Sequence, residues 1–108
     1  MSTAKSTAKN NPVDPRVIRE IWETICEREA HPSEGSYTSR LLCDKKGIDK
    51  VLEKVGEEST EFIIAIKNGI PERTTEEAAD LFFHMLVALR AAGVELEDVM
   101  RELERRRR

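Results

Sequence analysis

The chain has 108 residues, 39% of them hydrophobic and 36% charged, with five Gly, four Pro and a formal net charge of −3. This length fits one domain, and the composition favours a helical protein over a β-sandwich or a disordered chain. The net negative charge excludes an overall positive field that attracts nucleic acid. Because no signal peptide or apolar run of membrane length is recognised, we expect a cytoplasmic protein that needs no membrane.

Both ends are predicted to lie outside the folded domain. Residues 1–13 are rich in Ser, Thr, Ala, Lys and Asn and lack apolar periodicity, so we expect a disordered arm. Residues 105–108 are all Arg and are interpreted as a solvated basic tail, with anion binding as the alternative. A single helical domain is therefore expected over residues 14–104.

The first half of this domain is predicted to contain two long helices and a short one. Asp14 as N-cap and Pro15 in the first turn predict a helix that ends before Pro32. A short helical segment is expected over residues 37–46. A second long helix is expected over residues 48–68, with Gly69 as its stop, and one apolar stripe follows its length. This stripe comprises Ile48, Val51, Leu52, Val55, Ser59, Phe62, Ile63 and Ile66.

Ile70 and Pro71 are interpreted as a break, and the third long helix is predicted to open after it at Thr74 or Thr75 and to reach Ala92. Residues 81–89 leave it apolar nearly all round, with Phe82 assigned to the core, so we expect this helix at the buried centre of the fold. A last helix is expected from about Leu96. The predicted class is thus an all-α bundle of four to five helices. A chain of this size offers few partners for the central helix, so dimerisation is expected to complete the bundle.

Carboxylates recur at helical spacing on two consecutive helices. Glu58 and Glu61 flank the apolar stripe of the second long helix, whereas Glu57 points nearly away from it. Glu77 and Asp80 are also three residues apart. Burying acids on such an apolar helix is costly unless a cation compensates them. Acids on two helices joined by a short connection therefore predict a shared divalent cation, and Mg²⁺ prefers such oxygen ligands.

Simpler interpretations remain open for each of these residues. Glu77 fits a capping box that begins at Thr74. Glu57, Glu58 and Glu61 fit a solvated helix face, the commonest role of such runs. His84, one turn beyond Asp80, is more typical of a core histidine than of a ligand.

Basic residues precede the first acids and supply what a polyphosphate needs besides a metal. They are Arg40, Lys45, Lys46, Lys50 and Lys54. We interpret Arg40, Lys45 and Lys54 as candidate phosphate contacts, although each residue alone is more typical of an ordinary surface. The hydroxyls of residues 36–39 lie nearby in the sequence.

Four segments together resemble phosphoribosyl-ATP pyrophosphohydrolases, within the wider MazG-like all-α nucleotide pyrophosphatases. They are residues 36–42 (SYTSRLL), Gly47, residues 54–61 (KVGEESTE) and residues 77–87 (EAADLFFHMLV). The acidic motifs alone are shared by the whole superfamily, but the order and spacing of the other segments are specific. The resemblance runs from about Val17 to Leu103.

The resemblance implies a Mg²⁺-dependent hydrolysis of phosphoribosyl-ATP to phosphoribosyl-AMP and pyrophosphate, an early step of histidine biosynthesis. It implies a MazG-like homodimer in the cytoplasm and a separate cyclohydrolase that acts on the product. The metal ligands it implies are Glu58, Glu61, Glu77 and Asp80. It places Glu57 and His84 outside the direct ligands or on a second ion, with His84 as support for Asp80 or as a structural group. It places Lys54 on a phosphate.

In the mechanism we expect, Glu58 or Glu61 takes the proton of the attacking water. Lys54, with Arg40 or Lys45, stabilises charge on the leaving pyrophosphate. Two alternatives remain: a MazG-like pyrophosphatase acting on another nucleoside triphosphate, and a non-catalytic helical interaction module. The second predicts neither Mg²⁺-dependent phosphate release nor thermal stabilisation by Mg²⁺.

Overall fold

The computed structural model describes residues 11–107, and all the regular secondary structure in this part is helical. The five helices are α1 (Val17–Ala30), α2 (Tyr37–Leu42), α3 (Ile48–Asn68), α4 (Pro71–Ala91) and α5 (Leu96–Arg106). The predicted all-α class is confirmed. The prediction of a disordered arm falls mostly on residues outside the described part. No helix within residues 11–107 combines the length and apolarity needed to cross a membrane.

Local signals explain where the first three helices begin and end. Asp14 does not cap α1 directly; its carboxylate accepts a hydrogen bond from the Arg16 amide in the turn before the helix. Ser36 caps α2 by accepting from the Ser39 amide at 3.1 Å. This helix ends at Leu42, four residues earlier than predicted. Helix α3 has its predicted bounds, and Gly69 ends it in the left-handed conformation, with φ 72°.

Helix α4 begins at Pro71, before the predicted start at Thr74 or Thr75. Proline is tolerated in the first turn because its missing N–H would have no helical partner there. Glu77 therefore lies in the second turn of an established helix, and the capping box is excluded. At the other end of the chain, α5 continues through Arg106, so two residues of the predicted basic tail are helical.

The core lies where α1, α2, the α3–α4 hairpin and the start of α5 meet. Its buried residues are Trp22, Ile25, Leu41, Val51, Leu86, Val87 and Leu96. Helices α3 and α4 form the most extensive helix pair, and only Gly69 and Ile70 separate them, so they run antiparallel. This hairpin brings the two acidic segments of the sequence side by side.

Helix α4 was expected at the buried centre of the fold, but the single chain does not cover it on every side. Phe82, which had been assigned to the core, is 53% exposed, and Met85 is 49% exposed. The apolar stripe of α3 is also partly buried and partly exposed. Val51 is buried, whereas Ile63 and Ile66 are at least half exposed. One face of the hairpin is therefore apolar and open, and the other packs on the core. Dimerisation through the open face stays a prediction.

Candidate metal centre

Three carboxylates of the hairpin converge. Glu58 on α3 and Glu77 and Asp80 on α4 each place an oxygen within 4.8 Å of the others. Glu58 and Glu77 are only 7% and 6% exposed, whereas Asp80 faces solvent. We call these three residues the acidic cluster. It unites three of the four predicted metal ligands in one site.

Two oxygens of the acidic cluster are buried without a hydrogen-bond partner. They are Oε2 of Glu58 and Oε2 of Glu77. A buried carboxylate oxygen without a donor is costly, and closely spaced negative charges add repulsion. A divalent cation that takes these oxygens as ligands removes both costs, and an all-oxygen donor set suits Mg²⁺. The residues present therefore fit the metal that the sequence implied.

Glu61, the fourth predicted ligand, is exposed and is not part of the acidic cluster. It lines a cavity of about 360 Å³ together with Glu77. The Glu61 side chain thus lies next to the acidic cluster, on the side nearer the connection between α3 and α4.

Lys54 lies beside the acidic cluster and pairs with both acids of the next turn of α3. Its Nζ is 3.3 Å from Oε2 of Glu57 and 3.7 Å from Oε1 of Glu58. The hydrogen bond to Glu57 raises the pKa of Lys54, so this lysine is cationic at neutral pH. Glu57 is exposed and lies outside the cluster, so it contacts the site through Lys54.

Arg73 is a site residue that the sequence reasoning missed. Its guanidinium donates to Oε1 of Glu77 and to Oε1 of Glu76, each at 2.7 Å. These carboxylates raise the already high pKa of Arg73. The spacing between a basic residue and an acid four positions later could have revealed the contact, because such residues share a helix face.

His84 ties α2 to the acidic helix α4. Its Nδ1 lies 2.7 Å from the Asp80 carbonyl oxygen, and its Nε2 lies 2.8 Å from the Tyr37 hydroxyl. A carbonyl only accepts, so Nδ1 carries the proton in the neutral ring and Nε2 accepts from Tyr37. Neither nitrogen faces a carboxylate of the cluster. His84, predicted as a residue outside the direct ligands or on a second ion, thus contacts the backbone that carries Asp80.

Tyr37 completes this connection. Its ring stacks on Phe83, with centroids 6.4 Å apart, and meets His84 edge to face. Burial raises the pKa of the Tyr37 hydroxyl, so it stays protonated and can donate to His84 across the physiological range.

The remaining predicted phosphate contacts lie farther from the acidic cluster. The Arg40 guanidinium is 6.0 Å from the centre of the Tyr37 ring and donates to the Glu34 carbonyl at 3.0 Å. Lys45 is exposed in the turn after α2. The structure therefore brings Lys54, but neither of these two residues, against the carboxylates.

The fold and the site define an all-α protein with a carboxylate cluster suited to a divalent cation between two consecutive helices. Residues 18–107 match the model of one protein family, phosphoribosyl-ATP pyrophosphohydrolase. The chain belongs to this family. The members are hydrolases, so the chain is an enzyme.

Individual relatives agree with the family model. The chain is 78% identical to the phosphoribosyl-ATP pyrophosphatase of Methanoregula boonei over 97 residues, which cover 90% of this chain and 93% of the relative. It is 58% identical to the protein of the same name from Methanoculleus marisnigri, covering 88% and 98% of the two chains. It also matches the histidine biosynthesis bifunctional protein HisIE of Oceanobacillus iheyensis, with 45% identity over 91% of this chain and 45% of that protein.

Proposed function

We propose that the protein catalyses the Mg²⁺-dependent hydrolysis of phosphoribosyl-ATP to phosphoribosyl-AMP and pyrophosphate, a step of histidine biosynthesis. The observation that carries this proposal is the acidic cluster, with two buried oxygens that lack hydrogen-bond donors. The names of the relatives support the substrate. The role of the cluster in catalysis is supported by chemistry, because a phosphoanhydride needs its negative charge neutralised before water attacks it.

Glu58, Glu77 and Asp80 would hold the metal. A divalent ion bound there supplies Lewis-acid polarisation of the anhydride oxygens. Glu61 borders the cluster without belonging to it, so it is our candidate for the base that takes the proton of the attacking water. Water oxygen bonds to the α-phosphorus, the bond from that phosphorus to the bridging oxygen breaks, and pyrophosphate leaves with the electron pair.

Lys54 is our candidate for the residue that holds the pyrophosphate. Its ammonium group lies against Glu58 and Glu57, and it keeps its charge because its pKa is raised. A cation beside the cluster stabilises the charge that develops on the leaving group. Arg40 and Lys45 do not lie against the carboxylates, so they would contact only a part of the substrate that extends away from the acidic cluster.

We further propose a cytoplasmic homodimer whose product passes to a separate cyclohydrolase. The open apolar face of the hairpin, with Phe82, Met85 and Ile63 exposed, supports self-association because such patches mark contact surfaces. Sedimentation is expected to give a mass twice that of the chain, and a monomer mass at all concentrations contradicts the dimer.

The direct test is pyrophosphate release from phosphoribosyl-ATP with Mg²⁺ or with a chelator, with ATP and other nucleoside triphosphates as competing substrates. We expect release that requires Mg²⁺ and strongly prefers phosphoribosyl-ATP. Equal turnover of an ordinary nucleoside triphosphate would favour the wider-superfamily alternative. Absence of release from every substrate would favour an interaction module.

A further inference from the structure

The two acidic segments repeat one another. Lys54, Glu57, Glu58 and Glu61 on α3 follow the same spacing as Arg73, Glu76, Glu77 and Asp80 on α4, a basic residue followed by acids three, four and seven positions later. We call these sets the Lys54 turn and the Arg73 turn. In each, the cation pairs with the acids three and four residues on. In each, the second acid is buried and keeps Oε2 without a donor.

Because α3 and α4 run antiparallel, the repeat places its two cations on opposite sides of the acidic cluster. Each cation lies one turn, about 5.4 Å, before its buried acid, and these displacements point in opposite directions along the hairpin. Lys54 thus lies away from the helix connection and Arg73 lies towards it. A phosphoanhydride centred on the cluster would meet one cation on each side of the bond that breaks.

The Arg73 side differs from the Lys54 side because it opens into the cavity of about 360 Å³. This cavity has one cation, one amide, two acids and an apolar wall, provided by Arg73, Asn68, Glu61, Glu77, Ile64 and Ile70. A pyrophosphate carries charge on all sides and gains little from apolar walls. A nucleoside has apolar ring faces and polar edges, and this cavity offers an apolar wall beside groups that form hydrogen bonds.

We propose that this cavity is the subsite for the nucleoside monophosphate part of the substrate, and that Arg73 binds its phosphate. The guanidinium fork matches two phosphate oxygens at once. Arg73 is more than half exposed and pairs with Glu76 and Glu77. Its guanidinium can therefore exchange the Glu77 carboxylate for a phosphate when Glu77 turns to a cation. This assignment rests on the proposed function and extends it to the α-phosphate that stays on the product.

The test compares binding of AMP and of inorganic pyrophosphate, each with Mg²⁺, by calorimetry. Arg73→Gln is expected to raise the dissociation constant of AMP at least about tenfold, since it removes charge-assisted hydrogen bonds, and to leave pyrophosphate binding within about twofold. Lys54→Gln is expected to show the reverse. Arg73→Lys should recover part of the AMP affinity, because it restores the charge without the fork. Arg101→Gln is the matched control, since Arg101 pairs with Asp98 on α5, away from the cavity.

Unchanged AMP binding in Arg73→Gln, or a loss confined to pyrophosphate or to the metal, overturns the subsite, as does a wild-type protein that fails to bind AMP. These results are independent of turnover. If the wild-type protein hydrolyses phosphoribosyl-ATP but Arg73→Gln keeps the wild-type KM, the subsite fails and the proposed function stands. If the wild-type protein releases no pyrophosphate, the proposed function fails whatever the calorimetry gives.

Discussion

The Lys54 turn and the Arg73 turn have the same spacing but end differently. Asp80, the last acid of the Arg73 turn, belongs to the acidic cluster, whereas its counterpart Glu61 lies outside it. The residue four positions beyond Asp80 is His84, which bonds the Asp80 carbonyl and is held by Tyr37. The residue four positions beyond Glu61 is Ala65, which has no polar group to offer. Equal spacing therefore puts acids on one face, and the packing around each turn decides which acid joins the site.

The largest effects on activity are expected for the last acid of each turn, Asp80 and Glu61, and the two should differ in their Mg²⁺ requirement. Asp80→Asn should lower kcat about 10²–10³-fold and raise the Mg²⁺ concentration needed for half activity, because it removes a proposed ligand. Glu61→Gln should lower kcat about 10²-fold through loss of the base and leave the Mg²⁺ requirement unchanged. Activity measured across a Mg²⁺ titration checks both. Equal shifts of the Mg²⁺ requirement in the two variants would mean that the turns are equivalent after all.

The buried acid Glu77 is expected to lower the stability of the protein when no metal is bound. Glu77→Gln is expected to raise the free energy of unfolding in chelator by about 1 kcal/mol, because it removes a buried charge that has an oxygen without a donor. With Mg²⁺ present, the wild-type protein and Glu76→Gln should both gain more stability than Glu77→Gln. Urea unfolding with and without Mg²⁺ measures this, with Glu76→Gln as the exposed control. A large loss of stability in chelator would show that Glu77 is chiefly a structural residue.

Removing the Tyr37 hydroxyl should weaken the contact through which His84 supports the Asp80 backbone. Tyr37→Phe keeps the ring contact with Phe83 and loses the hydrogen bond to His84, so unfolding should become easier by about 1 kcal/mol. Nitrogen NMR shifts of His84 should show Nδ1 protonated in both proteins, since the Asp80 carbonyl remains its acceptor. A wild-type ring protonated at Nε2 instead would refute the proposed direction of the hydrogen bond.

The smallest effect is expected in the Lys54 turn. The pKa of Lys54 is raised chiefly by Glu57, so its contribution to stability is complete below the ordinary lysine pKa and is lost as pH rises through the raised value. Glu57→Gln should lower this pKa and bring the alkaline loss of pyrophosphate binding to lower pH. At neutral pH the melting temperature should change by no more than about 2 °C, because the Glu57 carboxylate is exposed to solvent. A pH profile identical to that of the wild-type protein would contradict the pairing.

Much of this site could be predicted because it depends on local rules. Glu77 and Asp80 are three residues apart on α4, and Glu58 flanks the apolar stripe of α3. Their convergence follows once the two helices form a hairpin. Gly69 marked the end of α3 for a simple reason: only a residue tolerant of positive φ stops a helix there without strain.

What could not be predicted depends on which surfaces face one another. Apolar content placed α4 at the centre of the fold but could not show which of its residues the single chain leaves open, and Phe82 and Met85 are among them. The start of α4 was placed too late because proline was interpreted as a helix breaker and not as a first-turn residue. Arg73 was not predicted because candidate phosphate contacts were assigned only up to the acids of α3, although the same spacing of a cation and acids recurs on α4.

The central claim is that Glu58, Glu77 and Asp80 form one divalent-cation site. Binding of Mn²⁺, followed by electron paramagnetic resonance, tests it without requiring turnover. We expect the wild-type protein to bind Mn²⁺ and each of Glu58→Gln, Glu77→Gln and Asp80→Asn to bind it about 10–100-fold more weakly, while Glu76→Gln binds as the wild-type protein does. Wild-type affinity in the three cluster variants would contradict the claim.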